Sequence, residues 1–218
     1  MKIKICCIGS HKEAQIAAES GASSIGLVSA MPSGPGVIDE ATIAAIIKSA
    51  SSDIETVLLS SQTGYEGIAE QVEKCRPDTV QLVDRVEPFV IRQLQQKFAT
   101  LSVMEVLHVT GPASQHEPQY LNSNADFLLL DSGNPELLVK ELGGTGRVHD
   151  WQISAQIVRD VPVQVYLAGG LNPNNVGAAI KSVRPYGVDV CSGVRSDGQL
   201  DAVKLNAFTA AARVTLLS

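Results

Sequence analysis

Aromatic residues are scarce in this 218-residue chain, which has 4 Phe, 4 Tyr and 1 Trp. Its 17 basic residues are outnumbered by 23 acidic ones and form no Lys or Arg run. Without a stacking platform or a phosphate-tracking surface, nucleic acid is not an expected partner. Cysteine is sparse too. Cys6, Cys7, Cys75 and Cys191 contain no Cys-x-x-Cys pair, and the 4 histidines stand far apart, so no metal site is expected. No apolar run approaches the roughly 18 residues of a membrane span, and the N-terminus opens directly into a strand-like run. The expectation is a cytoplasmic protein in a reducing compartment, without a membrane partner and with homo-oligomerisation left open.

What is present is an ordinary globular composition, 44% apolar and 18% charged. A chain of this size buries about 70% of the surface its unfolded form exposes, enough for one domain over residues 1–218 without covalent staples. Eight β-rich runs recur, over 2–7, 24–29, 54–60, 79–84, 101–109, 127–131, 163–168 and 187–192. Between them the apolar spacing turns helical, as in Ile43, Ile46 and Ile47 or Val176, Ala179, Ile180 and Val183. Ser10 with Glu13 reads as a capping box, Gly21 as a left-handed stop, and Asn172-Pro173 as an N-cap followed by proline at the first helical position. After the fifth run, Pro112 and Pro118 leave room for a short helix at most.

Strands alternating with helices, at about 27 residues per unit, predict parallel pairing and closure into an α/β fold, the (β/α)8 barrel. The competing open doubly wound sheet would carry a Gly-rich fingerprint after its first strand, where Ile8-Gly9-Ser10 has a single glycine. In a barrel, chemistry gathers at the C-terminal strand ends. Alternation places Ile3, Ile5 and Cys7 on one face of the first strand and Lys4 and Cys6 on the other. Cys6 is therefore expected in the barrel mouth and Cys7 between strand and helices, where Cys7→Gly would be nearly silent. A small buried hydrophobe is the bland alternative for either thiol.

The sixth strand ends at Asp131, and the long segment after it contains Gly143-Gly144-Thr145-Gly146. That segment exceeds a routine βα connection of ~2–6 residues and is typical of a functional loop. The seventh strand runs into Gly169-Gly170 and the eighth into Ser192-Gly193-Val194, the two loops that form the phosphate site of such barrels. Asp189 faces inward, either within a polar layer or toward a ligand. A thiol and a carboxylate across a phosphate-anchored mouth suit proton-transfer isomerisation.

Five strand-end motifs resemble, in order and spacing, those of the phosphoribosylanthranilate isomerase family. They are Lys4-Ile5-Cys6, Leu128-Leu129-Leu130-Asp131, the 143–146 glycines with Asp150-Trp151, Gly169-Gly170-Leu171-Asn172-Pro173, and Asp189-Val190-Cys191-Ser192-Gly193-Val194. The resemblance spans the chain and is strongest after residue 125. It implies a cofactor-free Amadori rearrangement in tryptophan biosynthesis, from N-(5-phosphoribosyl)anthranilate to 1-(2-carboxyphenylamino)-1-deoxyribulose 5-phosphate. By that likeness Asp131 is the general acid that opens the furanose ring and Cys6 the general base at C2. The phosphate of this small substrate would rest near Gly169, Gly170, Ser192, Gly193 and Val194, beneath a loop carrying Gly144 and Gly146.

There are departures from the family pattern. Its Lys-x-Cys-Gly reads Lys4-Ile5-Cys6-Cys7. Its Ser-Pro-Arg, whose arginine pairs with the anthranilate carboxylate, reads Gly34-Pro35-Gly36. Its Gln-Leu-His-Gly reads Gln81-Leu82-Val83-Asp84, Glu105 stands where a lysine is common, and His108 appears near the end of the fifth strand. Losing a charge-assisted carboxylate contact removes roughly 1.5–3 kcal/mol of binding unless Arg85, Arg147 or Arg195 replaces it. Two alternatives stay open: an isomerase of this family acting on another phosphorylated sugar, and a phosphate-binding barrel without turnover.

Overall fold

Runs of branched and apolar residues form eight parallel strands that close into a barrel in chain order in the computed structural model, which describes residues 1–116, 124–134, 136–137, 140–143 and 146–215. The strands are β1 (Lys2–Ile5), β2 (Ser24–Val28), β3 (Glu55–Ser60), β4 (Thr79–Leu82), β5 (Ser102–His108), β6 (Phe127–Asp131), β7 (Gln164–Leu167) and β8 (Gly187–Val190). Ile3 pairs with Val188 and Ile5 with Val190, so β1 and β8 seal the seam. The expected runs overshoot most strand ends by one or two residues. Their apolar character continues past the ladder because the first loop residues are buried in the mouth.

The period-2 alternation of each strand divides the core in two. Ile5, Leu58, Leu107 and Val188 face outward and pack with helix residues such as Ala17, Ile43 and Ile46. Val57, Leu59, Met104, Val106, Leu129 and Tyr166 face inward. Three of the nine aromatics, Phe127, Tyr166 and Tyr186, meet inside the barrel with ring centroids 5.6 to 6.1 Å apart. The Tyr166 ring occupies the space above Gly187, where a Cβ would lie 2.5 Å from it.

The covering helices are α1 (His11–Glu19), α2 (Glu40–Ser49), α3 (Tyr65–Cys75), α4 (Pro88–Lys97), α5 (Trp151–Asp160), α6 (Val176–Val183) and α7 (Ala202–Val214). Ser10 caps α1 by accepting from the Glu13 N–H at 3.2 Å, and Gly21 follows with φ of 80°. Glu13 does not complete the reciprocal half of the box. Its carboxylate takes the N–H groups of Gly9 and Leu200 instead and pairs with Arg195. Asn172 caps a turn through the Asn174 N–H at 2.9 Å, but the helix itself begins later, at Val176, because residues 173–175 remain a turn. Between β5 and β6 the described residues hold one 3-10 turn, Pro112–His116, and no α-helix. A short hairpin, β9 (Arg195–Ser196) with β10 (Gln199–Leu200), leads into α7. Among the described residues no helix is long and apolar enough to cross a membrane.

Candidate active site

The loops at the C-terminal strand ends surround a cleft whose empty space, open solvent included, is about 650 Å³. Cys6, Gln81, Asp131 and Asp189 supply its polar wall and Leu59, Leu142 and Ala168 its apolar one. Cys6 is turned into the barrel as alternation requires. Its Sγ and the Lys4 Nζ each stand 3.0 Å from where a Cβ on Gly26 would be, so glycine at that point of β2 makes room for both. Asp131, at the end of β6, is 8% exposed and accepts from the Ser132 N–H at 2.7 Å. Its Oδ2 lies 2.6 Å from where a Cβ on Gly143 would stand, and Gly143 has φ of 129°, so the loop glycine seats directly on the carboxylate. Thiol and carboxylate thus line one opening.

Cys7 does not fill the layer between strand and helices. Alternation holds only inside the ladder, and Cys7 lies beyond it with φ of 63°, which swings its side chain into the mouth. There the Cys7 Sγ stands 2.6 Å from the Cys191 Sγ. The neighbouring Cys7 thiol holds the Cys6 thiol below the ordinary thiol range; burial opposes it and the Lys4 ammonium supports it. Cys7 itself is pushed far up by its bonds to Cys191 and Cys6 and by burial. Beneath the thiols, Lys4 is fully buried and donates to Asp189 Oδ1 at 3.0 Å. Asp189 anchors this polar layer and also lines the cleft.

The loops after β7 and β8 meet. A Cβ on Gly193 would lie 2.0 Å from the Leu171 carbonyl oxygen, and one on Gly170 would lie 2.8 Å from the Gly146 carbonyl oxygen. Gly169 and Gly170 have φ of 83° and 62°, a backbone that glycine adopts readily. Gly146, Gly169, Gly170 and Ser192 line the cleft, and Gly193 abuts it through Leu171. Gly144 lies outside the described residues. Val194 departs from expectation. Its side chain is wholly buried in the outer core, and its N–H is directed to the Cys191 carbonyl at 3.4 Å. Among the described residues no group of three or more His, Cys, Asp or Glu side chains has an arrangement that could hold a metal.

Similarity to known proteins agrees with this geometry. The sequence model of the family described as N-(5′phosphoribosyl)anthranilate (PRA) isomerase matches residues 3–211. The chain belongs to that family. A relative of that name from Methanosarcina acetivorans is 33% identical over 98% of this chain and 94% of its own. An isomerase of that name from Methanosarcina mazei is 36% identical over 95% and 92%. Among solved structures, the N-(5′-phosphoribosyl)anthranilate isomerase of Pyrococcus furiosus superposes with a TM-score of 0.83 at 29% identity, covering 98% of this chain and 99% of that one. The phosphoribosyl anthranilate isomerase of Thermococcus kodakaraensis gives 0.82 at 32% identity, with 97% and 98% covered.

Within the isomerase family, two of the departures prove to be linked. A Cβ at Gly36 would lie 2.5 Å from the Cys7 Cβ, so the cysteine in place of the usual glycine occupies the space that a longer residue at 36 would need. None of the three candidate arginines lines the cleft among the described residues. Arg195 is held by Glu13 at 2.9 and 3.1 Å and by the Cys7 carbonyl, and so pins the end of β1. Arg147 pairs with Glu141. Glu105 lies between inward-facing Met104 and Val106 and therefore points away from the mouth. The Nε2 of His108 meets the Val83 carbonyl at 3.0 Å, outside the cleft lining. Gln81 was missed from sequence. It is 4% exposed, lines the cleft and leaves its Oε1 without a partner. Its inward parity with Val83 was the available signal.

Proposed function

We propose that this chain catalyses the Amadori rearrangement of N-(5′-phosphoribosyl)anthranilate to 1-(2-carboxyphenylamino)-1-deoxyribulose 5-phosphate, with Asp131 and Cys6 moving the protons. The Asp131 carboxyl protonates the furanose ring oxygen, the ring C–O bond at C1 breaks, and the nitrogen lone pair forms the C1=N bond of a Schiff base. The Cys6 thiolate then removes the C2 proton, and the C–H electrons flow toward nitrogen. The resulting enol loses its hydroxyl proton and gains one at C1, so no proton is consumed. The observation that carries this reading is the shared opening: Cys6 and Asp131 both line the cleft that the β7 and β8 loops close. Each such group contributes roughly 10²–10⁴-fold.

The phosphate rests on Gly169, Gly170, Ser192 and Gly193, with Gly146 beside them. The aryl carboxylate lies toward Ser33 and Gly34, which also line the cleft. Restoring growth of a tryptophan-requiring strain that lacks the isomerase, with turnover of the purified protein, tests the activity. Cys6→Ala and Asp131→Asn each lower kcat by at least 100-fold with far-UV circular dichroism unchanged. Near-normal turnover in either variant removes the role assigned to that residue.

A further inference from the structure

We propose that Cys7 and Cys191 form a thiol modification site, a dithiol across the β1–β8 seam that low-molecular-weight disulfides convert to an intramolecular disulfide. The Cys6 N–H donates to the Val190 carbonyl at 2.8 Å, which sets Cys191 beside the end of β1. Continuing the β1–β8 register beyond the Ile5–Val190 pair sets Cys6 opposite Cys191, with Cys7 one residue further along. The left-handed backbone of Cys7 turns its sulfur back toward β8, within 2.6 Å of the Cys191 sulfur. Cys6 is the wrong partner for either. Its sulfur is turned against Gly26 of β2, and a link between adjacent Cys6 and Cys7 would close a small strained ring.

Cys191 is the most exposed of the three thiols and opens onto the cleft, so the reagent meets it first. The Cys191 thiolate attacks a disulfide RSSR, forming Cys191–S–SR and expelling RS⁻. Cys7 then gives up its proton and attacks the Cys191 sulfur, expelling the second RS⁻. Two protein thiols are oxidised, one small disulfide is reduced to two thiols, and the balance closes. The product ties residues 7 and 191 across nearly the whole chain and removes the Cys7 thiol that lowers the Cys6 pKa. Loss of turnover on oxidation rests on the role proposed above for Cys6; the cross-link does not.

The test treats the reduced full-length protein with oxidised glutathione, alkylates the remaining thiols, and maps linked peptides by mass under non-reducing conditions. The expected result is a loss of two hydrogens, a Cys7–Cys191 peptide, a melting temperature raised by about 10 °C, and turnover that falls at least fivefold and returns with dithiothreitol. Cys191→Ser and Cys7→Ser each abolish the link and the response to oxidant, whatever their starting turnover. The proposal is overturned if the linked peptide joins Cys6 to either neighbour, or if Cys191 stops at a mixed disulfide. A Cys7–Cys191 link without change in turnover upholds the site and refutes the part played by Cys6.

Discussion

Replacing Cys7 by alanine removes the thiol that lowers the Cys6 pKa and leaves the backbone alone, because φ of 63° carries the same penalty for either residue. A hydrogen bond to a charged group contributes about 1.5–3 kcal/mol. Losing it raises the Cys6 pKa. The direction follows from the remaining forces: burial and the Asp189 charge then oppose the thiolate, against Lys4 and the residue-7 backbone N–H. If the thiolate is the base, the acid-side limb of kcat/KM moves to higher pH. Turnover below the limb falls roughly 10–100-fold, while the high-pH plateau is retained. The assay is kcat/KM against pH for wild type, Cys7→Ala and Cys7→Ser, the serine restoring part of the shift through its hydroxyl. A limb that stays in place, or a loss equal at every pH, refutes the reasoning. Alternation alone predicts that Cys7 is dispensable, and the left-handed turn reverses that expectation.

Three further outcomes are expected. Gly36→Arg alone damages the protein, since φ of 79° and the 2.5 Å approach to Cys7 both oppose a side chain. Combined with Cys7→Gly it loses the overlap, and the double-mutant cycle shows favourable coupling of about 1 kcal/mol or more, with KM about tenfold below that of Cys7→Gly; additive effects refute the contact. Gly193→Ala pushes against the Leu171 carbonyl, 2.0 Å from the new Cβ, and raises KM at least tenfold with a smaller change in kcat; an unchanged KM separates the β7–β8 loops from phosphate binding. Burial lowers the His149 pKa, against Asp131 and Asp150, so the folded state binds fewer protons than the unfolded one below an unfolded value of ~6.5. Stability therefore falls as pH drops through that value toward the folded one. Urea unfolding at pH 7 and pH 5 shows a smaller acid loss in His149→Asn, and equal losses in both proteins would remove the assignment.

The barrel was readable because each strand carries its own alternation and each helix its own stripe. Cys6 and Asp131 were readable for the same reason, since both sit within or at the edge of a ladder where parity still decides direction. The start of α6 was misread because Asn172 caps a turn with the same bond that would cap a helix. Arg195 and Arg147 kept the look of available cations until their carboxylate partners were in view.

The order of strands, the inward thiol, the terminal carboxylate and the glycine loops follow from the sequence, because each depends on neighbours within a few residues. Only the tertiary structure decides that Cys7 enters the mouth, that it excludes a side chain at 36, and that it touches Cys191. Those contacts join residues 29 and 184 positions apart, through a single backbone angle that no local pattern specifies.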